Sequence, residues 1–130
     1  MTGKKVLVVD DEIHIVHVVA IKLRNNGYEV ITAENGAEAF DLACQENPDI
    51  IVTDFQMPVM TGLELVEKLR QCQQTKNIPV ILLTARNFAI SQEQQEKLQI
   101  ADCLSKPFSP RELLGNIEDI LYRRAVSNPA

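Results

Sequence analysis

The sequence predicts an α/β fold: a five-stranded parallel sheet with helices on both faces, a (βα)5 doubly wound unit. Two observations predict it. Strand-like and helix-like segments alternate from end to end of the 130 residues. The best strand candidates are also apolar without interruption, as strands are when both sheet faces are covered by helices.

Val6-Leu7-Val8-Val9 is the first such run, and Ile50-Ile51-Val52 and Val80-Ile81-Leu82-Leu83 repeat it. Tyr28-Glu29-Val30-Ile31 and Ala101-Asp102-Cys103-Leu104 are more polar and read as edge or partly exposed strands. Ile13, Val16, Val19, Ala20 and Leu23 form the first helical stripe, with Asn26-Gly27 as its stop. Ala39, Leu42 and Ala43 form a second, ended by Pro48, and Gly62, Leu65, Val66 and Leu69 a third. The last stripe, Leu113, Leu114, Ile117, Ile120 and Leu121, follows Ser109-Pro110-Arg111-Glu112. There Ser109 suits the N-cap, Pro110 the first helical position, and Glu112 the far end of a capping box. Asn87–Gln99 is rich in Gln and Glu, with Phe88, Ile90 and Leu98 as its sizeable anchors, and predicts a loosely held helix. Residues 1–125 then make one domain, and 126–130 a tail or the start of a linker.

Composition limits the function classes. A chain of this length buries roughly two-thirds of its unfolded surface, so it folds without staples or a structural metal. The net charge of −5 argues against nucleic-acid binding, which needs a basic patch to meet phosphates. No apolar run approaches membrane-spanning length, and a cytoplasmic location is expected. Cys44, Cys72 and Cys103 are far apart in sequence and lack metal-ligand spacing, so they read as small buried hydrophobes in a reducing compartment.

Parallel strands all end on one sheet edge, and open α/β sheets bind ligands there. Asp10 and Asp11 follow the first strand, Asp54 the third, Thr84 the fourth and Lys106 the fifth. Two unit charges about 4 Å apart repel by about 4 kcal/mol at an effective dielectric near 20. Three carboxylates on one rim therefore call for raised pKa values or a bound divalent cation. An oxygen-only ligand set suits Mg²⁺. Lys106 adds a compact cation on a flexible stem, and Thr84 a hydroxyl donor. The chemistry indicated is phosphoryl transfer to a carboxylate, with fixed charges neutralising the phosphoryl oxygens.

Four motifs carry a resemblance: Val8-Val9-Asp10-Asp11-Glu12, Asp54-Phe55-Gln56-Met57-Pro58-Val59-Met60-Thr61-Gly62, Leu83-Thr84-Ala85-Arg86 and Ser105-Lys106-Pro107-Phe108. In this order and spacing the chain resembles the receiver domains of two-component response regulators over about residues 4–122. The resemblance implies the flavodoxin-like strand order 2-1-3-4-5, which puts Asp10, Asp11 and Asp54 side by side. It implies that Asp54 accepts a phosphoryl group from a sensor histidine kinase or histidine phosphotransferase. Asp11, Asp54 and the backbone carbonyl of Gln56 would hold Mg²⁺ directly, with Asp10 acting through its water shell. Thr84 and Lys106 would hold the phosphoryl oxygens, Ala85 would keep the pocket open, and Lys106-Pro107 would be cis. Phosphorylation would switch the surface of the fourth helix, fifth strand and fifth helix toward an output protein or a second receiver. Such a domain promotes its own phosphorylation and dephosphorylation without being a conventional enzyme.

This sequence departs from the family pattern at Cys103, where receivers usually carry Tyr or Phe. The usual coupling of that aromatic to Thr84 is therefore in question. Gln56 and Arg86 stand at positions that tune phosphoryl lifetime in receivers.

Blander readings exist for each residue taken alone. Asp10-Asp11 resembles a helix N-cap, Asp54 a turn residue, Glu12 a first-turn acid, and His14 and His17 a solvated helix face. Position in register favours the phosphoryl site for the first three carboxylates. Ile15, Val18 and Ile21 fit either a wider buried face or an apolar patch for a docking helical partner. Two alternative functions are a degenerate, phosphorylation-independent receiver and an aspartyl-phosphate hydrolase of the haloacid-dehalogenase type. The complete acid, Thr84 and Lys106 set opposes the first; the missing Asp-x-Asp spacing and cap domain oppose the second.

Overall fold

In a computed structural model of the protein, residues 3–85 and 90–127 are described. The strands are β1 (Lys5–Val9), β2 (Glu29–Ala33), β3 (Ile50–Asp54), β4 (Val80–Thr84) and β5 (Asp102–Ser105). They alternate with helices α1 (Ile13–Arg24), α2 (Gly36–Glu46), α3 (Gly62–Arg70), α4 (Gln92–Leu98) and α5 (Pro110–Ser127). All four strand pairings are parallel and the order is β2-β1-β3-β4-β5, as expected.

The unbroken apolar runs have a simple cause. Along β1, Val6 and Val8 point into one core layer and Leu7 and Val9 into the other. In β3, Ile50 and Val52 face the first layer and Ile51 the second; in β4, Ile81 and Leu83 oppose Val80 and Leu82. The first layer is closed by α1 and α5, the second by α2, α3 and the end of α4. The two more polar strands, β2 and β5, are the sheet edges. Arg24 reaches from α1 to the edge and donates to the Val30 carbonyl at 3.2 Å.

Helix ends follow local chemistry. The Ser109 hydroxyl accepts from the Glu112 amide at 3.0 Å, as the sequence suggests. A full capping box forms at α3, where Thr61 and Glu64 each cap the other's backbone. In α2 the stop is Asn47 in the left-handed conformation rather than Pro48, which only follows it. Two expectations about α1 change. Ile13, assigned to the core stripe, is 54% exposed, and Val18 and Ile21 are 53% and 58% exposed, so the buried face is narrow. Glu12 is the N-cap residue, one position before the first turn. The expected anchor Phe88, along with Asn87 and Arg86, lies outside the described residues.

The loop from β3 to α3 carries one strained residue. Val59 has φ of 73° and its side chain is 94% exposed. A β-branched residue in that region costs about 1–3 kcal/mol. Val59→Gly is expected to stabilise the fold by about 1 kcal/mol in urea denaturation, with an unchanged m-value.

Candidate phosphoryl-acceptor site

β1 and β3 are neighbours, so their C-terminal ends bring Asp10, Asp11 and Asp54 to one lip of the sheet. A carboxylate oxygen from each lies within 4.8 Å of the others. Asp10 and Asp54 are buried, and Asp11 is open to solvent. The backbone fixes these positions. The Asp10 amide donates to the Ala33 carbonyl at 3.2 Å, and the Asp10 carboxylate accepts from the Glu12 amide at 2.9 Å. Asp10 thus serves the turn into α1 as well as the acid cluster.

β4 ends at Thr84 and β5 at Ser105, paired in register, and the Lys106 amide donates to the Thr84 carbonyl at 2.7 Å. That contact aims Lys106 across the lip. Its ammonium lies 3.1 Å from Asp10, 3.2 Å from Asp54 and 3.1 Å from Glu12. Thr84 is buried at the end of β4 beside β3, while Ala85 just beyond it is exposed. Gln56 is exposed two residues past Asp54, and the Lys106-Pro107 peptide is cis. Glu12, read from sequence as a plain helix-start acid, is therefore a third carboxylate partner of Lys106. Its adjacency to Asp10-Asp11 was the available signal.

The close approach behind Asp54 depends on Gly62. A Cβ built there would sit 2.5 Å from the Asp54 carbonyl oxygen, and the Gly62 amide donates to the Phe55 carbonyl at 2.8 Å. The start of α3 is thereby packed directly against the acceptor strand end.

Electrostatics match the crowding. Burial, with the Asp10 charge beside it, pushes the Asp54 carboxyl up from 3.8 to about 6 despite the opposing pull of Lys106. Burial also raises Asp10. Lys106 is pushed up: burial opposes its charge, but Glu12, Asp10 and Asp54 together outweigh that cost. One ammonium shared by three carboxylates leaves an excess of negative charge. The donors are all oxygen and one carboxylate is open to water, which suits a hard divalent cation such as Mg²⁺ that keeps part of its hydration shell.

Cys103 lies on β5, partly buried against the second core layer, and the Gln95 side-chain amide donates to its sulfur at 3.3 Å. The place of the usual aromatic is thus filled by a thiol in contact with α4. His14 and His17 are exposed on α1.

A family model described as the response regulator receiver domain matches residues 6–118. The chain belongs to that family. As a receiver domain of two-component systems it has curated relatives of the same kind. It is 40% identical over 128 residues to the alkaline phosphatase synthesis transcriptional regulatory protein PhoP of Bacillus subtilis, covering 98% of this chain and 52% of that protein. It is 37% identical over 123 residues to the phosphate regulon transcriptional regulatory protein PhoB of Pseudomonas aeruginosa, covering 95% and 54%. The receiver thus spans about half the length of these relatives. Among solved structures, the chemotaxis response regulator CheY4 of Vibrio cholerae superposes with a TM-score of 0.84 at 38% identity, covering 92% of this chain and 99% of that one. The Francisella response regulator 1452 receiver domain gives 0.82 at 37% identity, covering 95% and 99%. No helix among the described residues is long and apolar enough to cross a membrane.

Proposed function

We propose that this receiver accepts a phosphoryl group on Asp54 from a phosphohistidine of a sensor kinase or phosphotransferase, in a Mg²⁺-dependent reaction. The observation that carries this reading is the Asp10, Asp11 and Asp54 cluster facing Lys106 at the C-terminal lip of the sheet. Asp11, Asp54 and the Gln56 carbonyl would hold the ion, with Asp10 supporting its hydration. Bound there, Mg²⁺ supplies positive charge to the phosphoryl oxygens. An Asp54 oxygen attacks phosphorus, the bond to the donor nitrogen breaks, and an acyl phosphate results. Lys106 exchanges part of its contact with Asp54 for the incoming oxygens, and the Thr84 hydroxyl donates to another. Ala85 leaves that approach free of bulk. In this reading the receiver is a self-assisting phosphoacceptor rather than a conventional enzyme, and it works in the cytoplasm.

The switch would be the α4-β5-α5 surface. α4 has only seven residues, with Leu98 buried on it. Its C-terminal end is held by Arg70, which donates to the Leu98 carbonyl at 2.7 Å and the Gln99 carbonyl at 3.2 Å. A short helix anchored at one end suits a pivot that a pull on Thr84 biases. The output partner, whether a protein, a further domain or a second receiver, would meet this surface. With Cys103 in place of an aromatic, the coupling would run through the Cys103–Gln95 contact.

Incubation with acetyl phosphate and Mg²⁺, followed by intact mass and peptide mapping, tests the proposal. One phosphoryl group on Asp54, blocked by EDTA, is expected; turnover of many phosphate esters without an adduct would refute it. The same assay addresses donor docking. A cleft of about 550 Å³ beside the acid lip is lined by Ile15, Val18, Pro107 and Phe108. Alanine at Ile15 and Val18 is expected to slow transfer from the phosphorylated kinase by about tenfold while sparing acetyl phosphate. Equal loss with both donors would count against docking there.

A further inference from the structure

Three cysteines spaced far apart in sequence do not all stay apart in the fold. α2 and α3 run side by side in the same direction, and their seam is marked by the Lys68 ammonium 4.6 Å from the centre of the Phe40 ring. Cys44 follows Phe40 by four residues on α2, and Cys72 follows Lys68 by four in the turn just past the end of α3, where its amide donates to the Leu69 carbonyl at 3.3 Å. The offset of 28 residues is the same for both pairs, and the two thiols lie near enough for each to shift the other's proton affinity. Both are half-buried and both are free. From this geometry we infer that Cys44 and Cys72 form a peroxide-oxidisable dithiol, a redox site on the α2–α3 face, separate from the phosphoryl-acceptor lip.

The two sulfurs are not equivalent. The Gln74 backbone amide donates to the Cys72 sulfur and holds its thiol below the usual value. Burial pushes the Cys44 thiol up. Cys72 is therefore the attacking thiolate and Cys44 the resolving thiol. Cys72 sulfur attacks one oxygen of hydrogen peroxide; the O–O bond breaks, the sulfur keeps a hydroxyl, and hydroxide leaves as water with the proton that the Cys72 thiol gave up. Cys44 sulfur then attacks that sulfenyl sulfur; the S–S bond forms, the S–O bond breaks, and hydroxide departs with the Cys44 proton as a second water. Two thiols lose two electrons in total, and one peroxide is reduced to two waters. In a reducing compartment such a bond is transient, which suits sensing rather than permanent bracing.

Cys103 provides an internal control. Burial raises its thiol, and its sulfur is engaged by Gln95 at 3.3 Å on a different part of the molecule. The test is hydrogen peroxide treatment of the full chain, followed by alkylation, intact mass and non-reducing peptide mapping. The expected product has lost two hydrogens, carries a Cys44–Cys72 cross-link and leaves Cys103 alkylatable. It should also melt about 5 °C or more above the reduced form. Cys44→Ser should halt at a sulfenic acid on Cys72 that a dimedone probe traps. Cys72→Ser should react at least about tenfold more slowly than Cys44→Ser. Both variants should retain acetyl phosphate labelling of Asp54, which confirms that they fold. Persistence of two free thiols under peroxide, oxidation of Cys103 as fast as Cys72, or mainly intermolecular cross-links would overturn the inference.

Discussion

Replacing Asp54 with Asn is expected to raise the unfolding free energy of the ion-free receiver by about 1–2 kcal/mol at pH 7, and to abolish the phosphoadduct. The carboxyl is held at about 6 against an ordinary 3.8, so at neutral pH the folded protein carries a charge it would rather not have. That gap corresponds to about 3 kcal/mol, which solvent screening at the open lip reduces. The sign follows from proton binding. The folded chain binds the Asp54 proton more tightly than the unfolded chain, so this group favours folding at low pH. That contribution fades as pH rises from about 4 through about 6. Urea denaturation of both proteins without Mg²⁺ should therefore give curves that differ at pH 7 and converge near pH 4. A variant less stable than the parent at pH 7 would mean that the Asp54–Lys106 attraction outweighs burial and repulsion.

Lys106→Ala is expected to act in the opposite direction and more strongly, costing about 2–4 kcal/mol at pH 7. It would leave Asp10, whose side chain is fully buried, without its cation, beside a buried Asp54. Because the Lys106 pKa is raised, its contribution is complete below the unfolded value of about 10.4 and is lost only at higher pH. Any pH dependence of the loss between 4 and 8 therefore comes from the carboxylates. The deficit should shrink toward pH 4–5, where they take up protons, and Mg²⁺ should restore part of it at pH 7. Acetyl phosphate labelling should also slow by about a hundredfold, the usual effect of removing one fixed donor to a developing anion. Lys106→Met keeps the aliphatic stem and separates the charge from the packing. A loss below about 0.5 kcal/mol for both variants would show the ammonium to be dispensable.

Much of this molecule was legible as sequence because strand ends and hydrophobic period are local properties. The β1, β3 and β4 runs announce parallel strands covered on both faces, whereas the strand order is legible only through the family resemblance, because periodicity does not encode it. The acids, Thr84 and Lys106 were readable because each stands at the last residue of a strand or one or two residues past it. What escaped was set by the third dimension. Periodicity gives the direction of a helix's buried face but not its width, so Ile13 was assigned to a core it does not reach. Glu12 looked like a dipole partner because its place beside Asp10-Asp11, the one local signal, does not reveal that Lys106, 94 residues away, reaches it at 3.1 Å. Cys44 and Cys72 looked isolated because only the packing of α2 against α3, with the turn that follows α3, brings them together.

The central claim is that crowded acids at one lip are tolerated because a divalent cation sits among them. Calorimetric titration of Mg²⁺ into the unphosphorylated receiver between pH 5 and pH 7.5 tests it most directly. With Asp54 protonating at about 6, affinity should fall by about tenfold or more from pH 7 to pH 5, as protons displace the ion. Asp54→Asn should weaken binding at pH 7 and flatten that slope. An affinity that does not change across this range, or no binding at millimolar Mg²⁺ at pH 7, would contradict the account.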